Sequence, residues 1–203
     1  NTIGAYNISM GVGALRDNLA GSGSIAIGYQ SMLFANSASS AFLAANTAVG
    51  FEALKGSSTA ANNTGAKNTA LGYQVLLNNT SGAKNTALGY QVLLNNTSGQ
   101  VNTAIGHLAL DANTTGSNNV SVGGNALTNN TTGLSNVAVG QAASNNSTTG
   151  NYNTAIGKNA LKQNVGMHES VAIGAYSMEN ANSSTSDEPT FNTAVGFKSL
   201  MGS

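Results

Sequence analysis

The 203 residues include no cysteine, no tryptophan and a single proline, Pro189. The absence of cysteine excludes disulfides and thiolate metal centres. Charge is nearly as scarce, with seven basic and seven acidic residues and a formal net charge of zero. So neutral a chain has no basic surface to set against phosphates, which argues against nucleic acid or an anionic membrane as partner. No apolar run approaches the roughly 18–20 residues that a membrane-spanning helix needs. Charged residues make up 7% and aromatics 5% of the chain, so the thick core and charged shell of an ordinary globular domain are not expected.

What the chain has instead is asparagine and glycine, 30 and 25 residues respectively, arranged in a repeat. The stretch from Ala66 to Gly82, AKNTALGYQVLLNNTSG, recurs without change from Ala83 to Gly99. Within it a small residue, an aliphatic residue and a glycine form a triplet, as in Ala70-Leu71-Gly72. Triplets or divergent copies of them end at Gly11, Gly28, Gly50, Gly72, Gly89, Gly106, Gly123, Gly140, Gly157, Gly174 and Gly196. Seven of the steps between them have the seventeen-residue period of the exact repeat, and three are longer by a five-residue insertion. A short fixed period with insertions of constant size is the mark of a solenoid, and residues 1–203 read as one repeat domain. Both ends fall inside copies of the unit, so the sequence reads as a segment of a longer fibre.

Each unit reads as two short strands and two turns. The first strand is Asn-Thr-Ala-Ile, as in Asn102 to Ile105, where β-branched residues alternate with small ones. Gly106 ends it at a corner expected to need a positive φ. A second extended piece is expected around Ala109-Leu110, with counterparts at Val75-Leu76 and Ala160-Leu161. A second glycine closes most units, as at Gly65, Gly82, Gly99, Gly116, Gly133 and Gly150; Leu43, Met167 and Pro189 replace it elsewhere. Apolar residues do not recur at a helical period, and two glycines interrupt every unit. The fold expected is therefore an all-β parallel β-solenoid of about 11 coils, rising ~4.8 Å per coil.

Stacking places equivalent residues in columns. The Asn that opens the first strand (Asn46, Asn68, Asn85, Asn102, Asn119, Asn136, Asn153, Asn192) is expected to form an amide ladder. The aliphatic residue before the motif glycine and the Ala-Leu pair after it are expected to form the interior. Alternation then puts Asn and the recurrent Ala of the first strand (Ala70, Ala87, Ala104) on the other face, where small side chains would let a second subunit approach closely. A coil this short, with only a handful of apolar side chains, encloses a thin core, so oligomerisation is the expected source of further stability.

NTAIGKNAL (Asn153 to Leu161) and VAIGAYSM (Val171 to Met178) resemble the YadA-like head repeats of trimeric autotransporter adhesins. They are similar also to the NTAIG-x-x-AL repeats of phage tail-fibre and related bacterial fibre proteins. The resemblance covers essentially the whole chain and implies a left-handed parallel β-roll, three parallel chains per fibre, and a role in attachment. The heads of the adhesins have slightly shorter units, so turn geometry is expected to differ. Repeats of this kind also serve as spacers, so the motif speaks more directly to fold than to function.

Residues for chemistry are few. His107 and His168 are the only histidines; His107 occupies the column held elsewhere by Tyr29, Phe51, Tyr73, Tyr90 and Phe197, and His168-Glu169 falls at a divergent turn. No Ser-His-Asp constellation can be assembled from such repeats, so neither an enzyme nor a cofactor is expected. The aromatic column Tyr29, Phe51, Tyr73, Tyr90 and His107 offers either packing between coils or a platform for sugar rings or a protein partner. The insertions supply Phe34 and Phe42 in the most apolar stretch and the acidic pair Asp187 and Glu188 in a Ser-rich loop. These are the other candidate contacts, because loops vary without disturbing a stack.

The function expected is that of a homotrimeric, extracellular fibre segment, on a bacterial surface or a phage virion, attaching to a cell-surface glycan or protein receptor through many weak contacts. The runner-up, from another class, is a passive shaft or spacer whose binding tip lies outside this segment. A third reading is a monomeric ice- or surface-binding solenoid, since regularly spaced Thr columns can order water; an exposed Ala column would speak against it.

Overall fold

A computed structural model describes residues 3–35, 42–59, 62–180 and 190–202. Asp187 and Glu188 lie outside the described residues. The chain forms a parallel β-solenoid whose main sheet has eleven strands, one per repeat. These are β1 (Ile8–Met10), β3 (Ile25–Ile27), β5 (Thr47–Val49), β6 (Thr69–Tyr73), β7 (Thr86–Tyr90), β8 (Thr103–His107), β9 (Val120–Val122), β10 (Val137–Val139), β11 (Thr154–Ile156), β12 (Val171–Ile173) and β13 (Thr193–Val195). A two-stranded sheet joins β2 (Gly21–Ser22) to β4 (Phe42–Leu43).

Register follows the repeat. Thr69, Ala70, Leu71, Gly72 and Tyr73 pair with Thr86, Ala87, Leu88, Gly89 and Tyr90, and these in turn with Thr103 to His107. The longer units keep this register, because Thr47-Ala48-Val49 pairs with Thr69-Ala70-Leu71. The additional residues are accommodated elsewhere in the coil.

The motif glycine makes the corner. Gly89 has φ +140°, and a Cβ there would collide with the carbonyl oxygen of Gly106 in the next coil. Conformation and close approach both require glycine here.

The second leg differs from expectation: the Ala-Leu pair lies in successive turns and not in a strand. Gln74 and Leu76 have φ of 51° and 53°, and the same two positions are left-handed at Gln91 and Leu93, Leu108 and Leu110, and Asn125 and Leu127. Each such residue costs roughly 1–2 kcal/mol. Bonding between coils offsets the cost. The Gln91 amide donates back to Tyr73 O (2.9 Å), whereas the Leu93 amide donates forward to Ala109 O (3.1 Å). Donors on this leg thus serve both neighbouring coils, and the Leu side chains are held inside.

The faces of the main sheet are the reverse of those expected. The strand alanines Ala70, Ala87 and Ala104 are fully buried, whereas Leu71 and Leu88 before the motif glycine are 43% and 41% exposed. The interior therefore consists of the strand Ala column, the Val/Ala column of Val75, Val92 and Ala109, the Leu column of Leu76, Leu93, Leu110, Leu127 and Leu161, and buried Asn. The physical reason is girth. A coil this short that also folds an Asn-Leu leg inward has room only for methyl groups on the strand it faces. The small Ala column that suggested a subunit contact is the one that permits tight internal packing.

Two Asn ladders line this interior. In the expected one, Asn68 Oδ1 accepts the Asn85 backbone N–H (3.0 Å), and Asn68 Nδ2 donates to Gly82 O (2.9 Å). The pattern repeats through Asn85, Asn102, Asn119 and Asn136. A second ladder runs through Asn79, Asn96, Asn113 and Asn130, with each amide donating to the preceding Oδ1 at 2.7–3.0 Å.

Candidate binding surface

With Ala inward, three columns of the main sheet face out. The first carries Thr or Val (Thr69, Thr86, Thr103, Val120, Val137, Thr154). The second is aliphatic (Leu71, Leu88, Ile105, Val122, Val139, Ile156). The third, one residue past the motif glycine, is aromatic in five consecutive coils. Strand alternation places all three on one face: in β6, Thr69, Leu71 and Tyr73 are exposed while Ala70 is buried.

The structure brings Tyr29, Phe51, Tyr73, Tyr90 and His107 together as one stack. Ring centroids are 5.1, 5.2, 5.2 and 5.3 Å apart, and interplanar angles run from 6° to 18°. Stacked in this way, the rings cover one another's faces and present their edges outward. Tyr29, Phe51, Tyr73 and Tyr90 are nevertheless 40–44% exposed. Packing between coils and a free outer edge thus coexist in one column, and ring faces are free only at its two ends. Beyond His107 the column continues as Gly124, Gln141, Lys158, Ala175 and Phe197, so the unbroken aromatic run is confined to one half of the solenoid.

A polar ladder missed in the sequence lies beside it. Gln74 Nε2 donates to Glu52 Oε2 (2.8 Å), and Gln91 Nε2 donates to Gln74 Oε1 (2.9 Å). Lys55 Nζ donates to Glu52 Oε1 at 2.6 Å. The hydrogen bond from Lys55 holds the Glu52 carboxyl below its usual range, against the opposing effect of burial, and Gln74 adds to the lowering. Its signal was the run of Gln30, Glu52, Gln74 and Gln91 immediately after the aromatics.

Phe34 and Phe42 lie apart from this strip. Phe34 is half-buried beneath Arg16, whose Cζ stands 5.8 Å from the ring centroid. Phe42 is half-buried in β4, opposite Gly21. No ring contact joins either of them to the column among the described residues. His168 faces Asn151, with Nδ1 and Nδ2 3.1 Å apart. No group of three or more potential metal ligands occurs among the described residues, nor is any helix long and apolar enough to cross a membrane.

One acidic side chain is poorly matched to its place. Asp111 stands in the column that carries Leu77 and Leu94 in the preceding coils. Its Oδ1 is buried without a hydrogen-bond partner, and burial pushes its pKa up, opposed by backbone hydrogen bonds and the proximity of His107.

Comparison with protein-family models, with curated proteins and with solved structures gave no match.

Proposed function

We propose that this chain is a structural and adhesive segment of an extracellular fibre, on a bacterial surface or a phage virion, in which three parallel copies pack as left-handed β-rolls. The observation that carries this reading is the outward face of the main sheet. Eleven strands at about 4.8 Å, crossed by three columns spanning about 3.3 Å per residue, make a strip on the order of 600 Å². Within it the aliphatic column and the aromatic run form a contiguous exposed apolar patch, and patches of this kind mark interaction sites. Its regular Thr, aliphatic and aromatic columns suit a second copy in the same register. The subunit contact is therefore assigned to this face and not to the Ala face. The resemblance of the NTAIG units to fibre repeats supports three copies and a role in attachment, not catalysis. A cell-surface glycan or protein is the receptor class, met by weak contacts repeated along the fibre.

Light scattering on the intact chain tests the assembly. A mass three times 20.2 kDa is expected, and a stable monomer overturns the reading. Attachment to cells or immobilised glycans, compared with and without the three insertions, tests adhesion against a passive shaft.

A second reading is favoured by the outward Thr column. The Ala column that would have counted against a monomeric ice- or surface-binding solenoid is buried, and Thr47, Thr69, Thr86 and Thr103 stand in register on the exposed sheet. A monomeric mass together with thermal hysteresis identifies that case.

A further inference from the structure

The second Asn ladder stops at one coil. Asn96, Asn113 and Asn130 each donate Nδ2 to the Oδ1 of the preceding Asn, at 2.8, 2.7 and 3.0 Å. The next position in the column is Ser147, and the one after it Asn164. Ser147 is fully buried, and a hydroxyl cannot continue the amide chain in both directions. Consequently Asn130 Oδ1 and Asn164 Nδ2 are buried without partners on either side of Ser147, and the Ser147 hydroxyl is itself unpartnered. The same coil carries a second replacement. Ser144 stands in the column of Leu110, Leu127 and Leu161, is 1% exposed, and its hydroxyl too has no partner.

These four groups account for all but one of the unpartnered buried side-chain atoms among the described residues. Other buried serines behave differently: Ser31, Ser121 and Ser177 each donate to a backbone carbonyl, at 3.0, 2.8 and 3.2 Å. An unpaired buried polar group is costly, and four on one coil and its neighbours call for a ligand that can both donate and accept. Each serine is also two heavy atoms smaller than the Asn or Leu it replaces, which leaves room in an otherwise close-packed interior.

We propose that Ser144 and Ser147 form a buried water site between the coils of Asn130 and Asn164, occupied by two waters. Water fits because the unpartnered groups are mixed: an acceptor at Asn130 Oδ1, a donor at Asn164 Nδ2, and two hydroxyls able to do either. A single molecule is too short. Equivalent positions two coils apart are separated by roughly 9.6 Å, and the facing Oδ1 and Nδ2 by that distance less the width of one amide, about 2 Å, whereas two hydrogen bonds through one water span about 6 Å at most. One water donates to Asn130 Oδ1 in place of the missing amide nitrogen. The other accepts from Asn164 Nδ2 in place of the missing carbonyl oxygen, and the hydroxyls link the pair. Each water then has the two to four polar partners typical of buried water.

A crystal structure of the intact chain at a resolution that places solvent tests this directly. Two ordered waters are expected, one on Asn130 Oδ1 and one on Asn164 Nδ2. A dry site, with both hydroxyls turned onto backbone carbonyls, overturns the proposal. Ser147→Asn provides a second measurement. It rebuilds the ladder, displaces both waters, and is expected to raise Tm by about 2–4 °C. A folded variant that keeps the waters, or melts below the parent, counts against the site.

Discussion

Asn85 Nδ2 donates to the carbonyl oxygen of Gly99 at 2.9 Å, 14 residues along the chain and one coil away. The same side chain accepts the backbone N–H of Asn102 at 2.9 Å. One amide thus replaces two backbone bonds where the chain leaves the linker and enters the strand, and it does so inside the solenoid. An Asn column there is part of the backbone pairing, unlike a surface ladder that could be trimmed at little cost. Asn102→Ala would leave Gly116 O and the Asn119 N–H without the partners they now have. A loss of about 2–4 kcal/mol is expected in denaturant titration. Asn102→Asp keeps the acceptor but sets a buried carboxylate against the Gly116 carbonyl, so it should be more stable in acid than at neutral pH.

Adjacent glycines separate the demands of the corner from ordinary tolerance. Gly123 has φ +137°, and a Cβ there would stand 2.6 Å from Gly140 O; beside Gly124 there is nothing within 4 Å. Gly123→Ala is expected to unfold the neighbouring coils or cost more than about 2 kcal/mol. Gly124→Ala is expected to stabilise by about 0.4–1 kcal/mol, through the unfolded chain. Equal effects in the two variants would show that the corner is not set by glycine.

Asp111 predicts a pH dependence. Its folded pKa is raised by burial above the ordinary value of 3.8, so the folded state holds its proton more tightly than the unfolded chain does. That contribution is fully present below the unfolded value and is lost as pH rises through the folded one. Glu52 runs the other way: its pKa is lowered by Lys55, and its contribution is lost as pH falls. A comparison of the parent with Asp111→Asn cancels the Glu52 effect. The variant's advantage should grow with rising pH from about 3.8 and level off above the folded pKa. A difference that stays flat across that window would exclude ionisation of Asp111 as the cause.

The solenoid, its period, the glycine corner and the first Asn ladder were legible because each appears as identity at a fixed spacing. The aromatic stack was legible for the same reason. Sidedness was not. Ala70 and Leu71 alternate equally well with either one inside, and hydrophobicity alone favours burying Leu71. What decides between them is the width of the coil, set by Leu76 and Asn79 folding in from the opposite leg. Positive φ at Leu76 was hidden as well, since nothing in a Leu marks a left-handed residue. The second ladder could have been found from Asn79, Asn96, Asn113 and Asn130, which keep the period as strictly as the first.

The corrected sidedness determines where assembly should be attacked. Leu88 is exposed on the outward face in the fourth of the five aromatic coils, with Leu71 and Ile105 paired on either side of it. Its side chain supports no internal packing, so Leu88→Asp should leave the coil intact in a monomer, where a surface change is usually within about 0.5 kcal/mol. Between copies it would bury a carboxylate in an apolar seam, a large penalty repeated in every subunit. Leu88→Asp combined with Ile105→Asp should therefore lower the native mass from three times 20.2 kDa to 20.2 kDa while the β-type circular dichroism spectrum persists. Ala87→Asp, one residue away but fully buried, should abolish that spectrum instead. If both outward aspartates leave a trimer intact, the subunit contact lies on another face.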